Sequence, residues 1–150
     1  MKNVEAKLVP LLLKGNCTPQ IVRLAKQTKE PPTTLHYNIK RMEREGKIRA
    51  YKAVFDYGKI GRGFCTYVLV NLAEGGHRDP DRAAEELARH EQVESVDVIT
   101  GDWELIVKVR TKDIDEYYQF IRSVFAKSDI GKITSLNSMH QLKAEFILAD

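Results

Sequence analysis

Thr33-Thr34-Leu35-His36-Tyr37-Asn38-Ile39-Lys40-Arg41-Met42-Glu43-Arg44-Glu45-Gly46-Lys47-Ile48-Arg49 is the stretch from which the rest of the chain is read. Leu35, Ile39 and Met42 recur at helical spacing and predict one buried stripe on a helix running from near Thr33 to Gly46. The opposite side presents Thr33, Thr34, His36, Tyr37, Lys40, Arg41 and Arg44. Short hydroxyls at the N-terminal end can approach base edges and phosphates, and the cations further along neutralise a nucleic-acid backbone. Charge on a helix usually marks a solvated face. Its position on the last helix of a three-helix unit favours a helix that enters the major groove.

Upstream, Val4, Leu8, Leu11 and Leu12 predict a first helix closed by Gly15, with Pro10 kinking it or delaying its start. Thr18-Pro19 predicts the start of a second helix, Thr18 capping and Pro19 at the first helical position, carried to about Thr28 by Ile21, Val22, Leu24 and Ala25. Lys29-Glu30-Pro31-Pro32 reads as the turn. Downstream, Ile48, Ala50, Lys52 and Val54 alternate with Arg49, Tyr51, Ala53 and Phe55, predicting a short hairpin, or wing, with Asp56-Tyr57-Gly58 and Gly61 as its loop residues and Lys47, Arg49 and Lys52 at phosphates.

Charge supports the division. Residues 1–57 carry 12 Lys/Arg against five Asp/Glu, whereas the remaining residues carry 12 against 16. A basic half joined to an acidic half suggests a polyanion-binding module beside one of another kind. The expected organisation is a DNA-binding domain at 1–57, a linker at 58–63 and a ligand-sensing and oligomerisation domain at 64–150.

The second domain reads strand–helix–strand–strand–helix–strand. Phe64–Leu72 is a strand, ended by Glu74-Gly75-Gly76. Asp79-Pro80 opens a helix that buries Ala83, Ala84, Leu87 and Ala88. Val93–Thr100 and Trp103–Arg110 are strands joined by a tight turn at Gly101-Asp102. Asp113 caps a helix with Ile114, Tyr117, Ile121 and Val124 on one side. Ile133–Leu142 is the last strand, followed by a tail near Phe146-Ile147-Leu148. This is the ferredoxin-like βαββαβ order. Two helices cover one sheet face only, and the side of the first strand made by Cys65, Tyr67, Leu69 and Asn71 is not plainly hydrophilic. A partner sheet, hence a dimer, is expected there.

Two stretches carry a family resemblance: Leu35, Ile39, Met42-Glu43, Gly46 and Ile48 at their spacing, and Val98-Ile99-Thr100-Gly101-Asp102-Trp103-Glu104-Leu105. With these the chain resembles the Lrp/AsnC, or feast/famine, regulators of bacteria and archaea over nearly its whole length. The resemblance implies an α+β protein with an N-terminal winged helix-turn-helix and a C-terminal RAM-type domain. It further implies a cytoplasmic transcription regulator whose dimers associate into tetramers or octamers, with amino-acid effectors bound between dimers. It assigns the effector to Thr100, Gly101, Asp102 and Ser138: hairpin N–H groups would hold a carboxylate and Asp102 an ammonium, although Gly101-Asp102 is also sufficient as a plain β-turn. The chain departs from the family pattern at Asn38, where Arg is frequent, and at Lys29-Glu30-Pro31, where Gly-x-Ser is common.

Other functions find less support. Cys17 and Cys65 are far apart and form no CxxC or cysteine–histidine cluster, so neither zinc nor a disulfide framework is expected, and no cofactor. No signal peptide or spanning helix is evident, which predicts a soluble protein. A sirohaem-decarboxylase-like enzyme would need converging histidines or arginines, yet His77, His90 and His140 are scattered, and no catalytic arrangement appears. A DNA-architectural protein without an effector is the nearer alternative; backbone-only binding would show a steep salt dependence and little sequence preference.

Overall fold

The computed structural model describes residues 4–73, 79–126, 130–145 and 147–148. The strand breaker Glu74-Gly75-Gly76, His77 and Phe146 lie outside the described residues. The chain divides into two compact units, Met1–Val54 and Phe55–Asp150.

The first unit is helical: α1 (Val4–Leu13), α2 (Ile21–Thr28) and α3 (Pro32–Arg44). Pro10 lies inside α1. Two helices end in the same way. After α3, the Lys47 amide donates to the Met42 carbonyl and Gly46 to Glu43, with Gly46 at φ +69°. After α1, Asn16 donates to Leu11, with Gly15 at φ +99°. These are Schellman closures, which need the left-handed conformation that glycine adopts without a Cβ penalty.

The expected cap at Thr18 does not form. Helix α2 starts at Ile21 with Gln20 at its cap position and no capping side chain. Around Thr18 the Cys17 amide is engaged with the Tyr51 carbonyl, and the Ile21 amide donates to the Pro19 carbonyl, which places the helix start after Pro19. The expected wing hairpin at 48–55 is also absent. The expected loop residues Asp56, Gly58 and Gly61 close a turn among themselves in the second unit, and no strand pairs with 48–55 among the described residues. Residues 48–55 instead run back past α1, through an isolated parallel bridge between Asn16 and Tyr51 and a bond from the Ala53 amide to the Leu12 carbonyl.

The second unit holds β1 (Phe64–Leu72), α4 (Pro80–Ala88), β2 (Val93–Val98), β3 (Leu105–Thr111), α5 (Ile114–Phe120) continued by a π-helical turn at Ile121–Phe125, β4 (Ile130–Asn137), and a short pair β5 (Lys143–Ala144) and β6 (Ile147–Leu148). The four-stranded sheet has the order β2-β3-β1-β4 with all neighbours antiparallel, as a split βαβ arrangement requires. Asp79 and Asp113 cap α4 and α5 by accepting from the Arg82 and Glu116 amides. The core lies between the sheet and these helices: Val68, Val70, Leu105, Val107 and Val109 meet Leu87, Tyr117, Phe120 and Phe125. The opposite sheet face carries Tyr67, Leu69, Ile106, Thr134 and Leu136, partly or fully exposed.

Three boundaries differ from expectation. Strands β2 and β3 stop short of Gly101-Asp102, so their connection is a six-residue loop, Ile99 to Glu104, and not a tight hairpin. Trp103 therefore precedes β3. Strand β4 runs from Ile130 to Asn137, not to Leu142, because its pairing with β1 ends at Thr66. The segment 58–63, expected as a linker, is a folded turn within the second unit. The Asp56 carboxylate accepts from the Gly58 and Lys59 amides, and Arg62 donates to the Tyr57 carbonyl.

Candidate nucleic-acid interface and effector site

Helix α3 begins with Pro32 at its first position, where the missing donor costs nothing. Leu35 and Ile39 are half-buried, and Met42 is 37% exposed, so the inward stripe is shallower than its spacing suggests. Thr33, Thr34, His36, Tyr37, Lys40, Arg41 and Arg44 are all exposed, as are Lys47 and Arg49 beyond the helix. The structure thus keeps every candidate DNA contact on the surface of one helix and the segment that leaves it.

Two glutamates organise these cations. Glu43 accepts from Lys40 at 2.7 Å and from the Tyr51 hydroxyl at 3.0 Å. Glu45 pairs with Lys47 and, at 3.8 Å, with Arg41. The hydrogen bond to Glu43 raises the Lys40 ammonium pKa, and the same bond holds the Glu43 carboxyl below its ordinary range. Partial desolvation, then Glu43, pushes the Tyr51 phenol up. Exposed pairs of this kind contribute little, so a phosphate can replace the carboxylate at small cost. Arg44 and Arg49 have no carboxylate within 4 Å among the described residues. The Glu43–Tyr51 tie joins α3 to the following segment and was not foreseen; a tyrosine in an alternating run gives no sign of its hydroxyl partner.

The candidate effector residues are not brought together within one chain. The Ile99–Glu104 loop is held against one end of β1. Asn71 Nδ2 donates to the Asp102 carbonyl at 2.9 Å, the Glu104 amide donates to Asn71 Oδ1 at 3.1 Å, and the Leu72 amide donates to the Glu104 carboxylate at 2.7 Å. Thr100, Gly101 and Asp102 project from that loop, with Gly101 at φ +114°. Ser138 is one residue past β4, and its amide donates to the Cys65 carbonyl at the other end of β1. Cys65 and Asn71 are six residues apart on one strand, about 20 Å at roughly 3.3 Å per residue. A site that used both groups would draw them from two subunits. Trp103 is half-buried and lies under the Lys132 ammonium, 5.2 Å from the ring centre.

A second polar cluster, also unforeseen, surrounds Arg110, which is 5% exposed and faces away from the core. Its guanidinium lies 3.7 Å from the centre of the Tyr57 ring. Its Nε donates to Glu94, and one terminal nitrogen donates to Gln141 at 2.6 Å. The Tyr57 hydroxyl donates to Glu145 at 3.0 Å. Burial, followed by the charge of Glu94 and the bond to Glu145, pushes the Tyr57 phenol up to about 12.

Among the described residues there is no group of three or more metal-ligating side chains, and no helix long and apolar enough to cross a membrane. Comparison with known proteins agrees with this fold. The profile of the Lrp/AsnC ligand binding domain matches residues 65–148. An HTH-type transcriptional regulator of Pyrococcus horikoshii is 33% identical over 134 residues, 89% of each chain. An AsnC family transcriptional regulator from Agrobacterium tumefaciens superposes with a TM-score of 0.76 at 25% identity, covering 99% of this chain and 97% of the other. A transcriptional regulator from Neisseria meningitidis, solved as a complex with L-methionine, superposes with a TM-score of 0.74 at 16% identity, covering 96% and 93%. With its profile match over more than half the length and a relative of this identity across both units, the chain belongs to the Lrp/AsnC family of transcriptional regulators.

Proposed function

We propose that the protein regulates transcription by laying α3 in the major groove of duplex DNA, as a homodimer or higher oligomer that responds to an amino acid. The exposed cationic side of α3 carries this reading: Arg44 and Arg49 stand clear of any described carboxylate, and the Lys40, Arg41 and Lys47 pairs are weak enough to exchange for phosphates. Thr33, Thr34, His36 and Tyr37 take the base-edge side, and Lys40, Arg41, Arg44, Lys47 and Arg49 the backbone. The first domain, to about residue 57, is the DNA-binding module, and the second senses and assembles. Subunits pair through the sheet face of Tyr67, Leu69, Ile106 and Leu136. The amino acid is held by Thr100, Gly101 and Asp102 of one subunit with Ser138 of another, consistent with the separation of these groups along β1. L-methionine, the ligand of the Neisseria fold relative, is the first to test.

Fluorescence anisotropy on a duplex selected from a random pool, titrated with salt, tests the interface. Arg44→Ala is expected to lower affinity for all duplexes and to reduce the slope of log K against log salt by about 1. Thr34→Val should change the ranking of sequences more than the mean affinity. Unaltered binding in both variants would remove α3 from the interface.

A further inference from the structure

We propose that Arg110 is a positioning residue for DNA binding: it fixes the chain where it enters the second unit, and so sets the point from which the DNA-binding helices are held. This rests on the DNA-binding reading above. The division between units falls at Val54 and Phe55, and Tyr57 is three residues further on. A tether would ordinarily be loose there. Instead the Tyr57 ring is stacked on a guanidinium that is itself buried, and its hydroxyl is bound to Glu145.

The groups that meet at Arg110 come from three places far apart in sequence: Glu94 on β2, Tyr57 at the entry, and Gln141 in the segment after β4. Glu94 is shared with Lys108, whose ammonium donates to its other carboxylate oxygen at 2.7 Å. The planar guanidinium supplies what an ammonium could not, a face for the tyrosine and separate edges for the carboxylate and the amide. The same end of the sheet carries Ser138, since Cys65, whose carbonyl receives the Ser138 amide, is paired with Arg110 across β1 and β3. A displacement of the segment 138–145 is therefore passed to Tyr57 through Gln141–Arg110 and Glu145, without crossing the hydrophobic core.

The test uses the full chain, with Arg110→Lys and the milder Tyr57→Phe, which keeps the ring and loses only the bond to Glu145. Amide hydrogen exchange at 58–62 is expected to quicken by about tenfold in Arg110→Lys and by less in Tyr57→Phe. Binding is then measured on the selected duplex with base pairs inserted or deleted between its half-sites. A fixed tether gives the wild type a sharp optimum of spacing. A loosened one flattens that profile, so that the penalty for a two-base-pair change falls from about tenfold to about twofold, because a flexible connection spans a range of separations. Exchange that stays slow, or a profile that keeps its shape while affinity drops equally at every spacing, overturns the assignment and leaves Arg110 as packing alone. A wild-type chain that binds no duplex at low salt refutes the DNA-binding reading, and this inference with it; binding that survives with an unchanged profile refutes only the inference.

Discussion

The two units are stabilised in different ways. In the second, Leu105, Val68, Val70, Val107, Val109, Thr66 and Thr111 are fully enclosed between the sheet and two helices. In the first, α1, α2 and α3 bury no residue completely, and Val4, Leu8, Leu11 and Val22 remain exposed. A helical unit of this size buries a smaller fraction of its surface than a larger domain does. It relies on helix closures, backbone ties such as Ala53 to Leu12, and half-buried contacts. The second unit should accordingly be sensitive to side-chain volume, and the first to backbone geometry and surface charge.

Three measurements would sharpen or break this contrast. Leu105→Ala is expected to cost about 3 kcal/mol in urea unfolding, within the usual range for emptying an enclosed leucine site, whereas Leu35→Ala on α3 should cost clearly less. Equal losses would abolish the distinction. Gly46→Ala meets nothing within 4 Å, so its expected cost of about 1 kcal/mol comes from the positive φ alone; circular dichroism melts of the variant would show it. The smallest effect belongs to Tyr57. Its pKa is raised from 10 to about 12 in the folded chain, so the folded state holds the phenolic proton more tightly than the unfolded chain does. That contribution is complete below pH 10 and is lost as pH rises towards 12. Tyr57→Phe should remove the part of the alkaline stability loss in that window and change nothing at pH 7 on this account.

Much of the architecture was legible because it depends on local pattern. Strand β1 has the bounds its β-branched and aromatic run predicts, and the Asp79-Pro80 and Asp113 starts hold because cap and first turn are neighbours in sequence. What escaped depends on partners far along the chain. The alternation at 48–55 describes an extended segment correctly, but Asn16 and Leu12 take its backbone groups, and the turn residues from Asp56 to Gly61 close on one another, so no hairpin forms. Gly101-Asp102 has the composition of a tight turn, yet Asn71, Val70 and Leu72 draw Glu104 towards β1 and open the loop. The polar Asn71 in an otherwise apolar strand was the available signal. Candidate DNA contacts follow from helical period and stay together. The candidate effector residues were grouped by resemblance, and antiparallel pairing of β1 with β4 sends them to opposite ends of the sheet.

The lacing of residues 51–53 onto the end of α1 has a mechanical consequence. Gly15 allows this close approach, since a Cβ there would stand 3.0 Å from that of Ala50. The strip between Arg49 and Val54 is fastened to Cys17 and Leu12 by backbone bonds. Tension applied from the C-terminal side reaches these fasteners before it reaches α3. A pull strong enough to break them would peel the strip away from the first helix, while α3 kept its closing turn.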